Sequence, residues 1–148
     1  VRTVHVADLL RLTLDDEPRA GLAVLVGGDR VEAVAPLGEL TGAYPEVRMR
    51  RWAGTLGPAL VHDGPLPPAP TPRERVHVLF RLGVAEVLDA HVTDPALRAA
   101  ATRNGVAVLP AARPPTLVAG GRADLAVFDA DGSCRATVVA GRLVHRRA

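Results

Sequence analysis

Leu117-Val118-Ala119-Gly120-Gly121-Arg122-Ala123-Asp124-Leu125-Ala126-Val127-Phe128-Asp129 decides how this chain is to be read. Paired glycines make a turn, an Ala-Asp-Leu step leaves it, and an apolar run ends on a second aspartate. Apolar residues bounded by Gly and Asp predict a strand over Asp124 to Asp129. Working outward, Ala130-Asp131-Gly132-Ser133 is a turn. Arg135 to Ala140 is the next strand, Gly141-Arg142 a tight turn, and Leu143 to His145 a final strand.

The other end has the same character. In Gly21 to Pro36, strands Leu22 to Val26 and Arg30 to Ala35 flank Gly27-Gly28-Asp29, where glycine supplies the positive φ of a hairpin turn. Val4 to Leu14 reads as one or two short strands, Asp15-Asp16-Glu17-Pro18-Arg19 as an acidic turn, and Val47 to Trp52 as another strand. Pro36 to Leu40 leaves the hairpin, and Trp52 to Val61 crosses toward the middle of the chain.

The middle changes period. Pro65 to Pro72 holds five prolines in eight positions, a stiff extended linker. Thr71-Pro72-Arg73-Glu74 is a capping box with proline at the first helical position. The helix it opens should run to about Leu82 and stop at Gly83. Val84 to Leu88 is a short strand, Asp94-Pro95 opens a second helix that ends at Asn104-Gly105, and Val106 to Leu109 is a strand. Strand, helix, strand at this spacing predicts two parallel strands.

The terminal segments resemble the amidohydrolase superfamily, within it the imidazolonepropionase-like enzymes. Gly21 to Pro36 resembles the family's opening hairpin, Leu117 to Asp129 its closing segment, and Ala136 to Val144 its final Val-rich strand and Gly-Arg turn. The resemblance covers about residues 3–61 and 115–147. It implies a composite β-domain built from both ends, with a catalytic barrel between them. Here 46 residues, 63–108, stand in the barrel's place, and an eight-stranded barrel takes about 250. The expected architecture is therefore α+β. Residues 1–62 and 110–148 form a β-sandwich-like composite, and residues 63–109 carry the proline-rich linker and a small αβαβ insert.

The resemblance also bears on chemistry. The family's first barrel strand carries Pro-Gly-Leu-Val-Asn-Ala-His-x-His, whose histidines bind metal. Pro58-Ala59-Leu60-Val61 matches its start, but Gly64 and Leu66 fall on the two histidines. Neither side chain has a lone pair, and the chain has no lysine to bridge metals as in some relatives. What remains is His62, Asp63, Asp89, His91 and Asp94, close to predicted strand ends where α/β units place ligands. Two histidines with two or three carboxylates suit a divalent metal. Read plainly, the same residues are an exposed linker and a solvated loop. The sequence thus predicts no metal and no other cofactor, with a divalent ion on His62, Asp63, Asp89 and His91 as the alternative. It assigns no catalytic residue. His5, His77 and His145 lie within elements and read as packed or surface histidines.

Composition narrows the class. The chain has 148 residues, 48% apolar and only 3% aromatic, so Val, Leu and Ala must fill the core. All 18 basic residues are Arg, the mark of a GC-rich, bacterial genome more than of a phosphate-binding surface. A net charge of +2 argues against nucleic acid. Cys134, the one cysteine, allows no internal disulfide and reads as a buried bystander. No apolar run approaches the ~20 residues of a spanning helix, so a cytoplasmic protein without membrane contact is expected. The function expected is a stand-alone, non-catalytic binding or assembly protein that associates with itself or with another chain. The alternative is a hydrolase of carbon–nitrogen bonds other than peptide bonds, with a rebuilt or shared metal site.

Overall fold

The computed structural model describes residues 1–147. From the N-terminus come β1 (Arg2–Leu10), β2 (Leu22–Gly27), β3 (Arg30–Pro36), α1 (Leu37–Ala43), β4 (Arg48–Pro58) and β5 (Leu60–His62). Then follow α2 (Pro72–Arg81), β6 (Val84–Leu88), a 3₁₀ turn (Asp89–His91), α3 (Pro95–Arg103), β7 (Ala107–Leu109), β8 (Leu125–Phe128), β9 (Cys134–Val139) and β10 (Arg142–Arg146). The class is α+β, with a mixed seven-stranded sheet, β10-β9-β8-β4-β1-β2-β3, and a three-stranded sheet, β5-β6-β7.

The two ends of the chain meet at β4 and β8, antiparallel with Leu56 opposite Val127 and Pro58 opposite Leu125. β4 also runs parallel to β1, with a register shift between Ala7 and Leu9. Gly54 sits at that shift at φ +94, and a Cβ there would overlap the Phe128 carbonyl. β4 continues to Pro58 as one long strand, where the sequence suggests only a crossing segment past Trp52. Gly54 allows this by letting the strand bend as it changes neighbours.

Where the strand pattern predicts a sandwich-like composite, the strands of both ends belong to one hydrogen-bonded sheet. Its β3 edge is joined back to the segment entering β8. Val31 N donates to Gly121 O (2.9 Å), Gly120 N to Val31 O (2.7 Å) and Ala123 N to Asp29 O (2.7 Å). Val24, Val26 and Val31 consequently share one buried cluster with Leu125, Val127, Ala136 and Val138. The opposite face of β1 and β2, with Val4, Val6, Ala23 and Leu25, is covered by Leu40 of α1. That short helix is missing from the sequence expectation, because seven residues with two glycines and no side-chain N-cap carry little helical signal. Burial beneath it explains why β2 is apolar on both faces.

The glycine-and-aspartate motif closes this sheet. Asp124 accepts from Arg122 Nε at 2.9 and 2.8 Å and from Ala140 N at 2.9 Å. Its side chain is only 9% exposed. Ala140 has φ +49, the one described non-glycine residue in left-handed backbone, and the Asp124 carboxylate holds it there. Gly141 N donates to Ala123 O at 2.9 Å. Gly141 itself has φ +80, and a Cβ on it would overlap the Gly28 carbonyl. The motif thus joins the β2–β3 turn to the β9–β10 turn.

The middle of the chain folds as β5-α2-β6-α3-β7 with all three strands parallel. β5 joins the β6–β7 pair that the sequence predicts. Thr71 caps α2 by accepting from Glu74 N (3.2 Å), with Pro72 in the first turn, and Asp94 caps α3 by accepting from Leu97 N (3.2 Å). The proline linker is tied to α2 by Arg75, whose guanidinium donates to Leu66 O (2.7 Å) and Pro67 O (3.1 Å). Val76, Leu79, Phe80, Ala85, Val87, Leu97 and Ala101 form the core of this unit, together with Ala126 and Val139 of the large sheet. Thr137, fully buried on β9, donates to Phe80 O at the end of α2 (2.6 Å). The insert is therefore fastened to the C-terminal strands and shares their core.

Two substitutions separate fit from conformation. Gly132 has φ +85 with nothing within 4 Å of an added Cβ, so Gly132→Ala should cost about 1 kcal/mol from backbone strain alone. Gly141→Ala must also displace the Gly28 peptide and should cost at least about 3 kcal/mol in urea unfolding. Asp124→Ala leaves Arg122 and Ala140 N without their acceptor and should cost about 3 kcal/mol by the same measurement.

Candidate functional site

The carboxyl ends of β5 and β6 lie side by side, because His62 is in register with Val87. This is the edge to which the sequence assigns its metal candidates. The structure gives three of them other work. His62 Nε2 lies 2.9 Å from Pro65 O, so its ring proton fixes the start of the proline linker. Asp63 is exposed. Asp89 accepts from Arg98 Nη2 of α3 at 2.5 Å, and Asp94 is the α3 cap. His91 ends the half-exposed 3₁₀ turn. Among the described residues no group of three or more His, Cys, Asp or Glu is placed to hold a metal ion.

The two family positions are equally informative. Leu66 is 2% exposed and packs with Val76 and Leu79. An apolar side chain thus fills the core where the resemblance asks for a histidine. Gly64 lies beside the His62 ring and offers no donor. The residues present do not fit the family's metal centre.

Charged side chains converge elsewhere. Glu86 is the one charged residue in the otherwise apolar β6, and it is 8% exposed. Its Oε2 accepts from Arg113 Nη2 at 2.8 Å. Arg113 and Glu86, with Arg122 and Asp124, line a cavity of about 320 Å³ closed by Pro58, Pro115 and Thr116. Sequence reasoning passed over this group. Its one signal is a glutamate inside Val84-Ala85-Glu86-Val87-Leu88, where a lone buried carboxylate requires a partner. Both carboxylates are matched to arginines, so the arrangement offers hydrogen-bond donors to a small polar molecule. It presents no unpaired carboxylate as a base and no histidine or cysteine.

A second buried polar group lies in the large sheet. His5 is 3% exposed on β1, and Trp52 Nε1 donates to its Nδ1 at 3.4 Å with the rings nearly parallel. Burial, then the neighbouring Arg50 charge, lowers its pKa from 6.5 to about 4. Cys134 is buried, and desolvation raises its thiol pKa, the reverse of what a nucleophile needs.

No family model matches the chain, and no curated protein gives a significant match. Solved structures do match in fold. Guanine deaminase from E. coli superposes with a TM-score of 0.56 at 14% identity, covering 73% of this chain and 35% of the enzyme. Guanine deaminase from Bradyrhizobium japonicum gives 0.52 at 12% identity over 72% and 34%. An adenosine deaminase from Xanthomonas campestris with bound zinc gives 0.51 at 14% identity over 72% and 33%. The chain spans about a third of the length of these enzymes, and the likeness is one of fold.

His5 gives a pH-dependent stability of known sign. The unfolded chain binds a proton near pH 6.5, whereas folded His5 resists one until about pH 4. Stability should therefore fall as the pH drops from 6.5 to 4, by about 3 kcal/mol in total, and His5 should contribute no further loss below that. Urea midpoints across this range should show the slope, and His5→Gln should flatten it.

Proposed function

We propose that this chain is an amidohydrolase-like, imidazolonepropionase-like composite-domain protein that acts by binding or assembly and not by catalysis. The observation that carries this reading is Leu66, buried at a metal-histidine position and serving the core of the insert. The metal-activated water of such enzymes needs ligands with lone pairs and an open coordination position. Gly64 and Leu66 supply neither. The likeness to deaminases over about a third of their length supports the shared architecture. Fold alone assigns no chemistry.

On this reading, residues 1–62 and 110–148 are the composite and residues 63–109 the insert in the barrel's place. The protein works in the cytoplasm, in contact with a second copy of itself or with another chain. No helix among the described residues is long and apolar enough to cross a membrane.

Protein purified without chelator should contain well under one divalent ion per chain by elemental analysis. It should neither release ammonia from aminopurines nor open the ring of cyclic amides or cyclic amidines. About one zinc, iron or manganese per chain, lost in His62→Ala or His91→Ala, would replace this reading with the alternative, a hydrolase of non-peptide carbon–nitrogen bonds built on His62, Asp63, Asp89 and His91.

A further inference from the structure

Two groups of like charge lie at opposite ends of β1. At its start, Thr3 and His5 are in register with Arg48 and Arg50 of β4. Residues two apart on a strand share a face, so Arg48, Arg50 and Trp52 form one row. The Arg146 guanidinium extends it, 5.4 Å over the Trp52 ring. Arg48, Arg50 and Arg146 make no ion pair among the described residues. They are close enough that Arg48 and Arg146, after burial, lower the Arg50 pKa. Glu46 shares a surface hollow with Arg48 but makes no ion pair with it, so the three guanidiniums keep an excess of positive charge that a bound anionic group would offset.

Beyond the other end of β1, Asp15, Asp16 and Glu17 are exposed at the tip of the turn that returns to Leu10 through Arg19. Arg11 and Arg19 line the same surface hollow as Asp16 and Glu17, but none of the three acidic residues makes an ion pair among the described residues. Asp16 only accepts from Thr13 N (3.2 Å). From His5 to Leu10, the root of this turn, is about 16 Å along the strand at about 3.3 Å per residue. That exceeds the Debye length of about 8 Å at physiological salt. The basic row and the acidic turn therefore cannot neutralise each other within one molecule.

We propose that they do so between two copies. The Asp15–Glu17 turn of one chain docks on the Arg48, Arg50 and Arg146 row of another, and the same contact is repeated in reverse. Two reciprocal contacts of this kind close a two-fold dimer. The proposal rests on the reading of the chain as an associating protein and names a second copy as the partner. Arg50 is half-buried and central in the row, so it is the position where a charge change acts most strongly.

The test is sedimentation of the full chain. A dimer is expected at low salt, with association weakening at least tenfold between about 50 and 500 mM salt. The double variant Arg48→Glu with Arg50→Glu should be monomeric, and so should the double variant Asp15→Arg with Glu17→Arg. Mixed together they should form a heterodimer, because each row then faces a turn of opposite charge. That rescue also shows that both variants are folded. A monomer at every salt concentration would overturn the proposal. So would a dimer indifferent to salt and to both variants, or a monomer whose row instead retains a polyanion such as single-stranded DNA in an Arg50-dependent way. None of these outcomes touches the non-catalytic reading, which is decided by metal content and by the deamination and ring-opening assays.

Discussion

The Asp124 carboxylate, shared between Arg122 Nε and the Ala140 amide, is the interaction on which the sheet depends. It holds Ala140 in left-handed backbone, which aims Gly141 at Gly28 across the closed end of the sheet. The adjoining backbone, Gly120 to Ala123, bonds to the β2–β3 turn. One acidic residue and two glycines thus join hairpins more than a hundred residues apart in sequence. The carboxylate is nearly buried, so its hydrogen bonds are not exchanged freely for water, and losing one partner leaves the others costly.

The closed sheet gives the short middle segment something to stand on. The core of the three parallel strands and two helices is completed by residues of the large sheet. Here Phe80, Leu79 and Val87 share their core with Ala126 and Val139, and Thr137 bonds the last turn of α2. The same packing decides the chemistry. Leu66 is drawn into that core while Arg75 holds its carbonyl, so the segment leaving the strand end turns back against a helix. The candidate residues are then used locally, His62 on Pro65, Asp89 on Arg98 and Asp94 on the α3 amide.

The buried polar groups are all matched. No buried side-chain nitrogen or oxygen among the described residues lacks a hydrogen-bond partner. His5 finds Trp52, Glu86 finds Arg113, and Thr137 finds Phe80. A core with few aromatics relies on such pairs to fix the relation of its layers, since Val, Leu and Ala pack well in more than one way. Charges without an ion-pair partner among the described residues are at the surface, and two groups of them lie at opposite ends of β1.

Much of the local structure was legible in the sequence, because its signals are local. Thr71 and Pro72 mark the start of α2, Asp94 and Pro95 the start of α3, Gly83 and Gly105 their ends, and Gly28 and Gly141 the turns, each through the backbone geometry its residue type allows. The absence of histidine at positions 64 and 66 was equally plain. The short α1 was not legible, since Leu40 covers a sheet face only the assembled fold creates. Neither was the addition of β5 to the parallel sheet, which three residues cannot encode alone. The Glu86–Arg113 pair and the Arg48–Arg50–Arg146 row join residues far apart in the chain. The sequence by itself determined which segments turn, cap and extend, and that the family's metal ligands are missing. Only the tertiary structure decided which charges find partners, because pairing depends on strand register and on distances that the linear order of residues does not contain.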